Sequence, residues 1–259
     1  MNGEELQFLP LTYSSNDTVS IAYRFRKPEG KQSVFIWFCG FKSEMGSLKA
    51  EALDSWCAEN GAGCLRFDYS GHGESGGRFE DGTIARWLTE ANAVSEVAWS
   101  FGSPVFVGSS MGGWIALLLA RCLVEAGCDA PKGLVLIAPA WDMTRLMLER
   151  ASAEARAELN ENGVYYRPSA YSADPYPITK RLIEGGEKYL FGEDQVELPI
   201  PVRVLHGCQD PDIPWRHSLA LLDVIESPDM RLTLIKDGEH RLSRPQDLSF
   251  LFSTLSEFL

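Results

Sequence analysis

The chain has 259 residues, 45% hydrophobic and 23% charged, which suits one large α/β domain (1–259) with a sizeable core and excludes disordered and collagen-like classes. Its 24 Lys and Arg against 36 Asp and Glu give a formal charge of -12, a field that repels nucleic acid and anionic lipid, so neither is expected as a partner. No apolar run reaches the roughly 18 residues of a membrane span, and the opening MNGEELQFLPLTYSSND lacks the basic-then-apolar pattern of a secretory signal, so a cytoplasmic location is expected.

LQFLPLTY and VSIAYRFR, separated by polar SSND, predict an N-terminal antiparallel pair of strands. SVFIWFC and GCLRFDYSG each end at a glycine turn, and EMGSLKAEALDSWCAEN between them predicts a helix that stops before Gly61. A second helix is expected over TIARWLTEANAVSEVAWSF. SPVFVGS then predicts a fifth strand, followed by a buried helix over MGGWIALLLARCLVEAG. KGLVLIAPA, IPVRVLHG and MRLTLIKDG complete eight candidate strands, the later ones continuous apolar runs of the kind that parallel strands covered on both faces show. PWRHSLALLDVIES and PQDLSFLFSTLSEFL predict the last helices.

Strands alternating with helices imply right-handed crossovers, hence a mostly parallel eight-stranded sheet with helices on both faces. Only the stretch from Trp141 to about Leu198 breaks the rhythm. It offers no good strand, and residues 141–198 read as a helical lid over the sheet's C-terminal edge, where open α/β sheets place ligands. The six cysteines (Cys39, Cys57, Cys64, Cys122, Cys128 and Cys208) form no C-x-x-C and have no histidine at zinc-finger spacing, so free thiols and no metal are expected.

The segment GSSMG, 108–112, reads as G-x-S-x-G only when centred on Ser110; centring it on Ser109 puts Val107 and Met111 in the glycine places. A nucleophile elbow needs small neighbours because its serine sits on a strained strand-to-helix turn, and here a strand precedes and a long helix follows. A serine hydroxyl needs a base, and the base a third group to orient it. In folds built round such an elbow the chain order is serine, acid, histidine. That order excludes His72 as base, leaves His206 closing a strand as a turn residue, and places His217 on a helix surface. His240, in the loop KDGEHRLSRP after the last strand, is the candidate base.

The acid is expected after the seventh strand, where LHGCQDPDIP fits an H-G-x-x-D frame whose acid is Asp210; Asp212 and Asp142 remain as alternatives. Backbone N–H groups of Met111, next to the serine, and of Phe41, in the turn FCGFKSEMG, are the candidate oxyanion donors. Arg66, Asp68 and His72 in RFDYSGHGESGG read as structural, with Gly71 and Gly73 allowing a tight turn.

Taken together, these segments resemble the α/β-hydrolase superfamily over nearly the whole chain. FIWFCGFKSEMGSLKA, RFDYSGHGES, VGSSMGGWI, RPSAYS and HGCQDPDIPW resemble one branch of it more closely: the mitochondrial acyl-protein thioesterases, also described as acyl-glucuronide esterases, with their bacterial relatives. The resemblance implies an α/β-hydrolase fold and a serine hydrolase of acyl esters or thioesters that uses no cofactor and no metal. Its substrate would be a small acyl ester or thioester, or an acylated protein. That branch places its aspartate thirty residues before its histidine, which favours Asp210 over Asp212. The absence of a transit-like start favours the bacterial type. Met143, Met147, Tyr165, Tyr166, Tyr171 and Tyr176 in the lid are candidate pocket residues, several of which would simply pack it down. Lactone hydrolysis, C–C bond cleavage on the same residues, or a ligand-binding protein without turnover are the competing expectations.

Overall fold

In the computed structural model, which describes residues 5–168, 175–192 and 195–259, the N-terminal apolar runs form the expected antiparallel pair, β1 (Gln7–Ser14) and β2 (Asp17–Arg26). The chain continues through β3 (Val34–Phe38), α1 (Leu48–Glu59), β4 (Gly63–Phe67), α2 (Ile84–Trp99), β5 (Val105–Ser109), α3 (Met111–Glu125) and β6 (Gly133–Ile137). The segment after β6 carries α4 (Met143–Arg150), α5 (Ala153–Asn162), β7 (Val164–Arg167), β8 (Tyr176–Thr179), α6 (Lys180–Gly186) and β9 (Val196–Glu197). It is followed by β10 (Val202–Gly207), α7 (Trp215–Val224), β11 (Ile225–Glu226), β12 (Met230–Ile235) and α8 (Pro245–Leu255).

Among the described residues the main sheet has eight strands in the order β1-β2-β4-β3-β5-β6-β10-β12, parallel from β4 to β12 and antiparallel where β2 joins β1 and β4. Strands β3, β4, β5, β6 and β10 are buried along their whole length, as near-continuous Val, Ile, Leu and Phe runs require. Strand β12 is a correction to the expectation of cover on both faces: it has β10 as its only neighbour in the sheet, and its middle residues reach solvent. Helix α3 packs on β5 with residues 111–120 all buried, α2 packs on α3, and α1 packs on α8.

Residues 141–198 also correct the sequence expectation of no strand. VYYR and YPIT pair as the antiparallel β7–β8, with Tyr165 opposite Ile178, and Val196 pairs with Ile225. These strands are two to four residues long, too short to show an alternating pattern in the sequence. No helix among the described residues is long and apolar enough to cross a membrane, and all six cysteines are free thiols.

Candidate active site

The turn from β5 into α3 is built by close approach. Ser110 precedes the first residue of α3 with φ 54° and ψ −120°, a positive φ that a serine holds only when the surroundings enforce it. The neighbouring glycines supply the enforcement. A Cβ on Gly112 would lie 2.0 Å from the Phe38 carbonyl oxygen, and one on Gly108 would lie 2.4 Å from the Gly112 carbonyl oxygen. Any larger residue at either place would push the elbow off β3 or off its own helix.

Two further loops converge on the serine. His240 Nε2 lies 3.1 Å from Ser110 Oγ, and His240 Nδ1 lies 2.7 Å from Asp210 Oδ2. Asp210 follows β10 with its side chain fully buried; its Oδ1 accepts the N–H groups of Asp212 and Ile213, both at 2.8 Å. Burial alone would raise its pKa, but hydrogen bonds from His206 and His240 and the loop N–H groups outweigh that and hold the carboxyl well below the usual range. An ionised Asp210 accepts Nδ1–H of His240, which leaves Nε2 free to accept the Ser110 hydroxyl hydrogen.

Lys49 of α1 staples the His240 loop from below. Its Nζ donates to the Arg241 carbonyl and to Ser243 Oγ at 3.4 Å, and burial, then the Arg241 charge, push its pKa down to about 8.

The turn after β3 lies directly against the elbow: a Cβ on Gly40 would sit 3.4 Å from Ser110 Cβ. The Lys42 N–H donates to His72 Nε2 at 3.2 Å, while His72 Nδ1–H donates to Ser70 O at 3.1 Å. Burial pushes the His72 pKa down to about 4, so the ring stays neutral and keeps its acceptor for Lys42. Asp68 accepts from Met45 N at 2.6 Å and Glu74 N at 2.9 Å, tying the same turn to the RFDYSGHGES segment. Phe41, preceding Lys42, packs its ring against Phe79, Trp87 and Tyr176, and Met111, at the first position of α3, has an N–H without an intrahelical acceptor.

Ser110 and His240 open into a cavity of about 480 Å³ between the sheet and residues 141–198. Met143, Met147 and Tyr176 line it, with Leu48, Leu146 and Ile213. Tyr165 is buried and Tyr166 is 55% exposed, and neither lines the cavity; Tyr171 lies outside the described residues. Neighbouring strand residues face opposite ways, which is why the two adjacent tyrosines part.

The alternatives for the acid take other places. Asp142 stands just before α4, and its side chain accepts Phe191 N at 2.8 Å and Gly192 N at 3.1 Å. Asp212 lines the cavity, and its carbonyl accepts from Arg150. His217 is not the surface residue expected from the sequence: its ring stacks on Trp141 at 4.4 Å, Nε2 donates to Trp141 O at 2.7 Å, and Trp141 Nε1 donates back to its carbonyl at 2.9 Å. Asp210, Asp212 and His240 are the one group among the described residues whose ligand atoms, within 4.8 Å of one another, could hold a cation. Both Asp210 oxygens and His240 Nδ1 are already committed to the hydrogen bonds above.

A feature with no local sequence signal is the charge of the cavity wall. Lys42, Lys49, Arg150, Arg167 and Arg241 line it against a single carboxylate, Asp212, in a chain whose overall balance is strongly acidic. Those five cations come from five separate segments, so only the fold shows them together.

Residues 48–249 match a known family model, described as the alpha/beta hydrolase family. The chain belongs to the alpha/beta hydrolase family. Within it, a putative hydrolase from Agrobacterium vitis S4 shares 41% identity and superposes with a TM-score of 0.93 over 98% of both chains. The mouse alpha/beta hydrolase domain-containing protein 10 shares 30% identity, with a TM-score of 0.84 over 98% of this chain and 97% of that one. The human mitochondrial palmitoyl-protein thioesterase ABHD10 is 30% identical over 244 residues, 94% of this chain and 78% of that protein. The chain is therefore a hydrolase of the alpha/beta family, similar over most of its length to a protein named as a thioesterase.

Proposed function

We propose that the chain is a serine hydrolase that cleaves carboxylic esters or thioesters through an acyl-enzyme. The observation that carries this reading is the continuous hydrogen-bond path from Ser110 Oγ through His240 to Asp210, starting at a serine held at φ 54°. Ser110 attacks the carbonyl carbon while His240 Nε2 takes its proton and Asp210 stabilises the imidazolium. The Met111 and Phe41 N–H groups receive the oxyanion. His240 then gives the proton to the departing alcohol or thiol, and deprotonates the water that releases the acid and restores Ser110.

Residues 141–198 act as the lid within a single domain, with Met143, Met147 and Tyr176 as acyl-pocket wall. The five cations lining the cavity favour acyl substrates that carry a negative charge, because opposite charges attract more strongly in a partly desolvated cavity than across open water. The thioesterase name of the curated relatives supports an acyl substrate of the thioester kind. The location read from the sequence, cytoplasmic, belongs to this proposal, and the mitochondrial name of those relatives supplies the alternative to test by fractionation.

The discriminating experiment compares p-nitrophenyl esters, acyl thioesters and lactones with the purified chain. Saturable turnover of esters or thioesters, with a burst of the leaving group, supports the reading. Lactone turnover alone would assign the site to lactone hydrolysis, and tight binding without turnover would make the chain a ligand-binding protein.

A further inference from the structure

Behind the Asp210 carboxylate stands a second histidine. His206, fully buried in β10, places Nε2 2.9 Å from the Ile213 carbonyl and 3.2 Å from Asp210 Oδ2; its Nδ1 lies 2.6 Å from Ser218 Oγ on α7. Two acceptor oxygens flank Nε2, so a neutral imidazole carries its hydrogen there, and its Nδ1 lone pair accepts the Ser218 hydroxyl hydrogen. The donors then converge on one carboxylate oxygen: Ser218 O–H donates to His206, His206 Nε2–H to Asp210 Oδ2, and His240 Nδ1–H to the same oxygen.

We infer that His206, with its tautomer set by Ser218, is a positioning residue that aims Asp210 Oδ2 at His240. The inference rests on the Ser110–His240–Asp210 reading above. Among the described residues, loop N–H groups hold only Oδ1, so without His206 the orientation of Oδ2 depends on the His240 ring it is meant to hold. Burial favours a protonated Asp210, and a second donor on Oδ2 opposes that. Any buried imidazole needs partners for both nitrogens; what is specific here is that one of them is the carboxylate oxygen that also holds His240.

Asparagine and glutamine separate the two nitrogens. His206→Asn reaches the Ser218 side and leaves Asp210 without its donor, whereas His206→Gln places an amide nitrogen near the lost Nε2. Steady-state kinetics on an ester substrate are expected to show His206→Asn lowering kcat about 10- to 100-fold with KM nearly constant, the rate equivalent of one hydrogen bond to a charged group. His206→Gln is expected to return most of that loss, and Ser218→Ala to lower kcat about threefold. The low-field proton resonance of the His240–Asp210 hydrogen bond should move in His206→Asn, return in His206→Gln, and move slightly in Ser218→Ala.

Equal kcat in the Asn and Gln variants, an unchanged kcat in His206→Asn, or a change confined to KM overturns the inference. Should His206→Asn fail to fold, an unmoved resonance in Ser218→Ala overturns it. Fluorophosphonate labelling of the wild type separates the two readings. A labelled wild type with an indifferent His206→Asn sinks the positioning role alone, and a wild type that neither labels nor turns over sinks both.

Discussion

The elbow and the segment that roofs it are built on opposite terms. Around Ser110, ten consecutive residues of α3 are buried, and at Gly108 and Gly112 backbone meets backbone so closely that a single methyl group would collide. Across the cavity, α5 buries only Leu159, and β7 and β8 are four residues each. The first region leaves no room for variation; the second is held by separate clamps such as Asp142 on Phe191 and Trp141 on His217. The difference gives the proposed function a division of labour: it assigns reactivity to the over-determined half and substrate choice to the more lightly packed one.

That contrast can be broken most severely at the acid. Asp210→Asn should cut kcat about 10⁴-fold, because the imidazole loses the partner that sets its tautomer. Asp212→Asn, two residues away on the cavity wall, should keep most of the activity. Steady-state kinetics of the two variants check this, and the reverse ranking would move the acid to Asp212.

Acid sensitivity probes both halves at once. Burial holds His72 under the Phe41 turn and His217 beneath Trp141 at pKa values of about 4, whereas an unfolded histidine titrates near 6.5. Between those values the unfolded chain binds protons that the folded chain refuses, so stability falls as pH drops from about 6.5 to about 4. Each ring contributes up to about 3 kcal/mol at the acid end. Urea melts from about pH 7 to about pH 4.5 should show this slope, less steep in His217→Asn and in His72→Asn. A slope that neither His72→Asn nor His217→Asn reduces would contradict the buried, neutral rings.

Within the roof, Arg167→Gln should lower kcat/KM about tenfold for an ester bearing a carboxylate and leave a neutral ester of the same size unchanged. High salt should shrink the difference. Equal effects on both esters would remove the electrostatic role of the wall. The smallest effect is expected at Tyr166→Ala, which should change stability by less than about 0.5 kcal/mol and turnover by less than about twofold, since the ring lies 55% exposed outside the cavity. A large loss in a thermal melt or in kinetics would place Tyr166 in the roof's packing after all.

What was legible in the sequence follows the same division. Ser110 could be singled out because close approach to Phe38 O and Gly112 O demands glycine at fixed spacing, and such demands leave a local pattern. Asp210 could be placed because it follows the buried parallel strand β10, whose apolar run is easy to recognise, and His240 because it follows β12, an edge strand that still carries Met230, Leu232, Leu234 and Ile235. The parting of Tyr165 from Tyr166 was hidden, because a four-residue strand is too short to announce its period. His206 read as a turn residue, since its partners Ser218, Ile213 and Asp210 meet it only when α7 folds back on β10. The cationic wall was invisible for the same reason, being assembled from the turn after β3, α1, α4, β7 and the loop after β12.

The most direct test of the account is fluorophosphonate labelling followed by intact-mass measurement and peptide mapping. The account predicts one adduct per chain, located on Ser110 and absent from Ser110→Ala. An unlabelled wild type, or equal labelling of Ser110→Ala, would contradict it.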